Sequence, residues 1–299
     1  MSLVIIGSVA FDTIATPKTR KERIVGGSGT YSSLAACYFT NPRLVSVVGD
    51  DFPQETIALL QKKGIDTRGL EVRTGKTFFW EGSYGHDPNQ RETIKTEVNV
   101  FQDFSPKLLP EYQRSEIVFL GNIDPDLQEG ILQQLQDPKL VAMDTISLWI
   151  NTKRDALLRT LEKVDIFFAN DEEIRLLTGE RNLIKASKKL LEKNPFLVVA
   201  KKGEHGALLI GTEFVFCAVS YLCDEVVDPT GAGDTFAGGF LGYMDSVGNF
   251  DAAHLRKAAV YGTVMASFVI EDFGIERLKN LTLSDIEERF EKLQDLVLF

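Results

Sequence analysis

The chain has 299 residues, of which 44% are hydrophobic and 25% are charged, proportions typical of a soluble globular protein with room for one large α/β domain. Its formal net charge is −10 at pH 7 and its pI is near 5.0. Nucleic acid and anionic membranes are therefore excluded as main partners, because either would need a basic face.

The chain contains 3 cysteines and 3 histidines, with no Cys-x-x-Cys pair, so we expect neither a zinc site nor a disulfide framework. No basic leader precedes the first apolar segment, and no apolar run reaches the roughly 18 residues of a membrane helix. These features predict an unexported protein of the reducing cytoplasm.

Two polar segments near the N-terminus are candidates for ligand binding. Residues 3–7 are a short apolar run typical of a buried strand, and Asp12 follows it. Ligands of open α/β sheets collect at the carboxyl ends of strands, so Asp12 is a candidate for binding substrate hydroxyls, with an ordinary loop carboxylate as the alternative. Gly26, Gly27 and Ser28 then lead into a helix of small residues. Bare backbone there lets a polar ligand approach closely, although tight helix packing would also explain it.

Residues 77–97 alternate apolar or aromatic side chains with polar ones, around a bend at Tyr84 and Gly85. This period of two predicts a β-ribbon outside the main sheet. Arg91, after the bend, is a candidate for contacting an anionic part of a substrate, with a surface ion pair as the alternative. The ribbon either forms a homodimer interface or folds over its own cleft, since exposed ribbon edges are commonly covered.

From residue 115 onward, strands and helices alternate, as in a parallel sheet covered by helices. One predicted strand, 166–169, runs into Asn170 and Glu173 at a helix start. Oxygen ligands in this place suit Mg²⁺, and the same spacing is also that of a capping box.

The next predicted strand, 196–200, is followed by Lys201, Lys202 and Gly203. The lysines are able to neutralise an anion that the glycine lets approach closely. A solvated lysine pair is the alternative interpretation.

Residues 230–234, Thr-Gly-Ala-Gly-Asp, join an apolar, β-branched segment to an apolar helix. Unpaired N–H groups and the helix dipole favour an anion at such a turn, and the small residues let it come close. A helix-capping role for Asp234 would not require three small residues before it, so we expect its carboxylate to face a phosphate in transfer. A dinucleotide fingerprint would need glycine at Phe236, and a Walker A loop would need glycine at Leu70, so both are excluded.

This turn resembles the second signature of the PfkB, or ribokinase-like, carbohydrate kinase family. The resemblance implies that Asp234 is the catalytic base and that the backbone amides of Gly231, Ala232 and Gly233 form an anion hole. The family's other motifs follow in order over nearly the whole chain. They imply one three-layer α/β domain over residues 1–299, with a mostly parallel central sheet flanked by helices and a small β-sheet lid from about residues 12–25 and 72–100.

The resemblance also implies an acceptor site for a sugar or related polyol or sugar acid. Its residues would be Asp12, Gly26, Gly27, Ser28, Tyr31 and Arg91. Tyr31 stands where ribokinase-type members carry Asn, so ribose or fructose specificity does not transfer. A nucleoside acceptor stays open, and a non-catalytic sugar- or nucleotide-binding regulator is the alternative from another class.

The implied phosphate donor is ATP, with Mg²⁺ placed through water by Asn170 and Glu173. The implied ATP-binding residues are Lys201, Lys202, Gly203, Thr230, Gly231, Gly233, Gly262 and Phe273. Within this set, Gly262 would leave room for the adenine ring and Phe273 would stack on it. Ordinary helix packing would explain these two residues equally well.

Overall fold

A computed structural model describes residues 1–298 and shows two sheets, one of nine strands and one of four. The strands are Leu3–Ile6 (β1), Ala10–Ala15 (β2), Arg20–Gly26 (β3), Arg43–Gly49 (β4), Asp66–Arg73 (β5), Phe78–Tyr84 (β6), Arg91–Glu97 (β7), Ile117–Leu120 (β8), Leu140–Asp144 (β9), Ile166–Asn170 (β10), Leu197–Lys201 (β11), Ala207–Gly211 (β12) and Val215–Ala218 (β13).

The helices are Ser28–Ala36 (α1), Gln54–Lys62 (α2), Pro110–Gln113 (α3), Pro125–Leu132 (α4), Ser147–Thr152 (α5), Arg154–Leu161 (α6), Asp171–Thr178 (α7), Leu183–Leu191 (α8), Ala232–Val247 (α9), Ala252–Val269 (α10) and Leu283–Asp295 (α11). Short 3₁₀ turns cover Asn99–Phe101, Gly203–His205 and Leu278–Asn280. No helix within residues 1–298 has the length and apolar character needed to cross a membrane.

The larger sheet has the strand order β13-β12-β11-β10-β9-β8-β1-β4-β5. All its neighbouring strands pair in parallel except β12 and β13, which add antiparallel at one edge. The predicted parallel sheet flanked by helices is therefore confirmed.

Both faces of this sheet are buried. On β1, Leu3 and Ile5 belong to one core cluster, which includes α9 and α10, while Val4 and Ile6 belong to another, which includes α4 and α6 to α8. Successive side chains of a strand point to opposite faces, so a continuous apolar run has to be covered on both sides. The strand order then brings the carboxyl ends of β9, β10 and β11 side by side.

The smaller sheet has the order β3-β2-β6-β7 and forms the predicted lid. Two boundaries differ from the sequence expectation. Asp12 lies within lid strand β2 rather than in a loop after β1, and β5 of the main sheet continues through Arg73, so the second lid segment begins later than residue 72. The second difference arises because β5 pairs with β4 along most of its length.

Candidate active site

The turn before α9 is held by a buried carboxylate. Asp228 accepts hydrogen bonds from the backbone N–H of Thr230 at 2.9 Å and from that of Gly274 at 3.3 Å. Gly231 follows with φ of 77°, where an L side chain is strained. A Cβ at Gly231 would lie 2.5 Å from the Tyr31 ring, so both the conformation and the packing require glycine. Of the expected anion-hole amides, that of Ala232 donates to the Pro229 carbonyl at 3.3 Å.

Asp234 lies in the first turn of α9 and lines the main cavity of the protein. Ser32 Oγ donates to its backbone carbonyl at 3.0 Å. Burial, together with the nearby Asp144 carboxylate, raises the pKa of Asp234 to about 7, against the lowering effect of Lys201. A carboxylate with a pKa near neutrality is suited to proton transfer at physiological pH.

A buried ion pair lies beside this turn. Lys201 Nζ, at the end of β11, is 2.5 Å from Asp144 Oδ2, at the end of β9, and their side chains are 16% and 3% exposed. A Cβ at Gly233 would lie only 2.9 Å from Lys201 Nζ. Glycine at position 233 therefore lets the ammonium group reach the start of α9.

The protonated state of Lys201 is maintained by acidic neighbours. Burial lowers the pKa of Lys201, but the carboxylates of Asp144, Glu173 and Asp234 outweigh this effect and leave the pKa raised. The site thus holds a fixed positive charge among three carboxylates. An anionic phosphate group would find its counter-charge there.

Asn170 and Glu173 form the capping box of α7, as the sequence spacing allows. Asn170 Oδ1 accepts from the Glu173 N–H and Glu173 Oε2 accepts from the Asn170 N–H, each at 2.8 Å. Burial raises the pKa of Glu173 to about 7. Both residues also line the cavity, near Lys201.

The carboxylates in this cavity suit Mg²⁺ when phosphate oxygens and water supply the other ligands. Across residues 1–298, the structure holds no group of three or more His, Cys, Asp and Glu side chains arranged for a metal ion. Mg²⁺ commonly takes only one or two carboxylates and keeps several waters. Glu173 at the start of α7 fits that requirement, with water between the carboxylate and the ion.

The cavity has a volume of about 790 Å³, within the range of ligand pockets, roughly 300–1,000 Å³. Its charged lining includes Asp234, Lys201 and Glu173. An apolar part of the lining comes from α10 and from the segment before α9, through residues such as Leu222 and Ile270. The combination suits a ligand with an anionic part and a flat apolar part.

The expected ATP-binding residues divide into two groups. Those that line the cavity are Lys201, Lys202, Gly203, Gly231 and Gly233. Those outside the lining are Thr230, Gly262 and Phe273.

Each residue of the second group has another position in the fold. Thr230 Oγ1 is hydrogen-bonded to the hydroxyl of lid residue Tyr84 at 3.0 Å. A Cβ at Gly262 would lie 2.9 Å from the Phe236 carbonyl, so this glycine serves the packing of α10 on α9. Phe273 packs in an apolar cluster with Ile14 and Tyr84 beneath the lid. The expectation that Phe273 stacks on adenine does not match this placement.

Of the expected acceptor residues, only Arg91 lines the main cavity. The others lie at the junction of lid and main sheet, outside that lining: Asp12, Gly26, Gly27, Ser28 and Tyr31. Asp12 is buried, and a Cβ at Gly26 would lie 1.9 Å from its Oδ2 atom. Burial and the carboxylates of Asp228 and Asp234 raise the pKa of Asp12 to about 8. Gly27 has φ of 95°.

Ser28 and Tyr31 have different surroundings. The Ser28 hydroxyl accepts from the Ser8 N–H at 3.1 Å, and the Ser8 hydroxyl accepts from the Ser28 N–H at 3.1 Å, so Ser28 is engaged within the fold. The Tyr31 side chain is 1% exposed, and its hydroxyl has no hydrogen-bond partner in the described part of the chain. Tyr31 therefore has a buried polar atom free to bond.

The lid extends across the cavity. Arg91 lines it and lies over the Trp80 ring, 5.4 Å from the ring centroid. Asn89 Nδ2 donates to Glu204 Oε2 at 2.6 Å, which joins the lid tip to the turn after β11. Burial raises the pKa of both Asp12 and Asp234, and the Arg91 guanidinium opposes that rise, so it lies near both carboxyl groups.

Three residues of the site are missing from the sequence-based set. Asp144 carries a signal, because it ends a predicted strand beside the other ligand-bearing strands. Asp228 carries a partial signal, because one of its partners, Thr230, lies two residues away. Tyr84 carries none, since its partner lies elsewhere in the chain.

The chain is similar to known proteins in sequence and in fold. The sequence model of the pfkB family carbohydrate kinases matches residues 2–279. A cytidine kinase from Thermococcus kodakarensis is 32% identical over 247 residues, which are 81% of this chain and 87% of the relative. The solved nucleoside kinase of Methanocaldococcus jannaschii has a TM-score of 0.77 at 23% identity, over 98% of this chain and 99% of its own. An E. coli protein described as a ribokinase II, in complex with ATP and Mg²⁺, has a TM-score of 0.75 at 20% identity, over 97% and 99%.

Proposed function

The chain belongs to the pfkB family of carbohydrate kinases, and we propose that it is an ATP- and Mg²⁺-dependent kinase that phosphorylates a sugar hydroxyl of a nucleoside. One observation carries the proposal: a carboxylate with a pKa raised to about 7, Asp234, lies at the N-terminus of α9, and the same cavity holds the buried cation Lys201. A base and a phosphate-binding cation are what phosphoryl transfer to an alcohol requires.

The reaction transfers one phosphoryl group. Asp234 accepts the proton of the acceptor hydroxyl while the hydroxyl oxygen bonds to the γ-phosphorus of ATP, and the bond from γ-phosphorus to the β,γ-bridging oxygen breaks to release ADP. Lys201 and the first amides of α9 stabilise the phosphate oxygens. Mg²⁺, held through water by Asn170 and Glu173, would supply further neutralisation of the phosphates. Closure of the lid would exclude water, which otherwise competes with the acceptor.

The acceptor class rests on two further observations. The relative that is 32% identical over most of this chain is a cytidine kinase. In this chain, Tyr31 replaces the Asn of ribokinase-type members, and its hydroxyl is buried and unpaired among the described residues. Asp12 and Tyr31 would contact the sugar portion of the acceptor. A free sugar or polyol is the second candidate, because the family is described as one of carbohydrate kinases.

The test measures ADP release from MgATP against a panel of nucleosides, pentoses, hexoses, inositols and aldonic acids. We expect a nucleoside to be the best acceptor. In Asp234→Asn, kcat should fall by about 10²–10⁴-fold, the usual contribution of a general base, while nucleotide affinity stays within about twofold.

Turnover of a free sugar but of no nucleoside would replace the proposed acceptor with the second candidate. Full turnover by Asp234→Asn would remove Asp234 as the base. Silence across the panel with saturable ligand binding would instead support the regulator hypothesis.

A further inference from the structure

The wall of the main cavity includes a segment without regular secondary structure, between the end of β13 at Ala218 and the start of α9 at Ala232. Tyr221 and Leu222 of this segment line the cavity. Leu222 is 70% exposed, so apolar burial of its own side chain does little to fix the segment. Contacts of other residues in the segment must therefore hold this wall of the cavity in place.

Arg289 of α11 contacts this segment from behind. Its guanidinium carbon is 4.5 Å from the centroid of the Tyr221 ring and 3.6 Å from that of Phe268, on α10. The side chain is 13% exposed. The guanidinium therefore links the irregular segment to a core helix through two aromatic rings.

Hydrogen bonds fix the orientation of this guanidinium. Its NH1 donates to Ser267 Oγ at 3.0 Å and its NH2 donates to Glu271 Oε1 at 2.6 Å. Ser267 also lines the cavity. The Arg289 side chain thus contacts two elements of the wall, the Tyr221 segment and α10. Arg289 itself does not line the cavity.

We propose that Arg289 is a positioning residue for the phosphate-donor nucleotide, holding Tyr221 and Ser267 as a rigid wall of the nucleotide cavity. The inference rests on the proposed function in taking that cavity as the donor site. A mobile wall has to be ordered by the ligand, and this ordering lowers affinity. Only a planar guanidinium contacts two ring faces and donates to two acceptors at once, so lysine is a poor substitute.

The chain offers a matched control in Arg277. Its side chain also pairs with Glu271, at 2.9 Å, and lies 5.1 Å from the Phe268 ring centroid. In contrast to Arg289, it neither lies over the Tyr221 ring nor donates to Ser267 in the described part of the chain. Arg277→Met thus removes a similar ion pair and aromatic contact while leaving the contacts of Arg289 with Tyr221 and Ser267 in place.

The experiment measures the Kd of ADP by calorimetry and the KM values of ATP and acceptor for the full chain carrying Arg289→Lys, Arg289→Met, Tyr221→Ala or Arg277→Met. We expect both Arg289 variants and Tyr221→Ala to raise the Kd of ADP and the KM of ATP about tenfold, equivalent to about 1.4 kcal/mol. The KM of the acceptor should change less than twofold, and Arg277→Met should match the wild type. The double variant Tyr221→Ala/Arg289→Met should weaken ADP binding by less than the product of the two single effects, because the two side chains share one contact.

A lower melting temperature of Arg289→Met with an unchanged Kd of ADP would overturn the inference, since it would leave only a structural role. Equal weakening by Arg277→Met would overturn it as well. The Kd of ADP is measured without turnover, so an acceptor panel that fails would refute the proposed acceptor and leave this result standing. Failure of the wild type to bind ADP would refute the inference at its premise.

Discussion

The buried ion pair of Lys201 and Asp144 allows a sharp prediction about stability. Lys201 has other carboxylates beside it if Asp144 is neutralised, whereas the carboxylates share Lys201 as their cation. Without Lys201, three carboxylates that share its charge, those of Asp144, Glu173 and Asp234, lose their common cation. Without the Asp144 charge, Lys201 still has the other two carboxylates. The two single substitutions should therefore differ in cost.

Removing one partner of a buried ion pair costs about 3–5 kcal/mol when the other charge stays unpaired. We expect Lys201→Met to approach the upper end of this range and Asp144→Asn to cost about 1.5–3 kcal/mol, the scale of one charge-assisted hydrogen bond. In the folded state, Lys201→Met raises the pKa of Glu173 above the wild-type value of about 7. A carboxyl with a raised folded-state pKa destabilises the fold progressively as pH rises from its unfolded to its folded pKa. The wild type stops losing stability near pH 7 while Lys201→Met continues to lose it, so the deficit of Lys201→Met should grow mainly between pH 7 and pH 8.

Urea unfolding followed by tryptophan fluorescence at pH 6, 7 and 8 measures these free energies. Lys202→Met is the control, because Lys202 lines the same cavity but is without an ion pair in residues 1–298. The double variant Lys201→Met/Asp144→Asn should be less destabilised than the sum of its parts. Equal costs for the two single variants, or a pH-independent deficit, would refute the reasoning.

Two further predictions concern catalysis and the glycine turn. With the pKa of Asp234 at about 7, kcat/KM should rise with pH by about tenfold per unit below pH 7 and level off above about pH 8; a flat profile between pH 5.5 and pH 9 would contradict Asp234 as the base. Gly231→Ala should lower the unfolding free energy by more than about 1 kcal/mol and reduce kcat, because of its φ of 77° and the Tyr31 ring in the Cβ position. Gly130→Ala, in α4 with open space around its Cβ position, should instead stabilise by roughly 0.5–1 kcal/mol; thermal unfolding of both variants compares them directly.

Local patterns in the sequence determined much of the architecture. The alternation of apolar runs and amphipathic segments indicated the parallel sheet and its helices, and the period-two segment around Tyr84 indicated the lid. The turn before Asp234 and the capping box at Asn170 were also readable, because each depends on backbone conformation within a few residues. The residues that determine such a feature are therefore the residues that form it.

Tertiary structure alone decided which distant residues meet. Lys201 pairs with Asp144, 57 residues away, and Tyr221 meets Arg289 only because α11 packs behind the cavity wall. Phe273, an aromatic residue in a suitable stretch of sequence, packs under the lid instead of in the cavity. Nothing local distinguishes these outcomes, since the burial, pKa and partner of a side chain depend on the elements that packing brings around it.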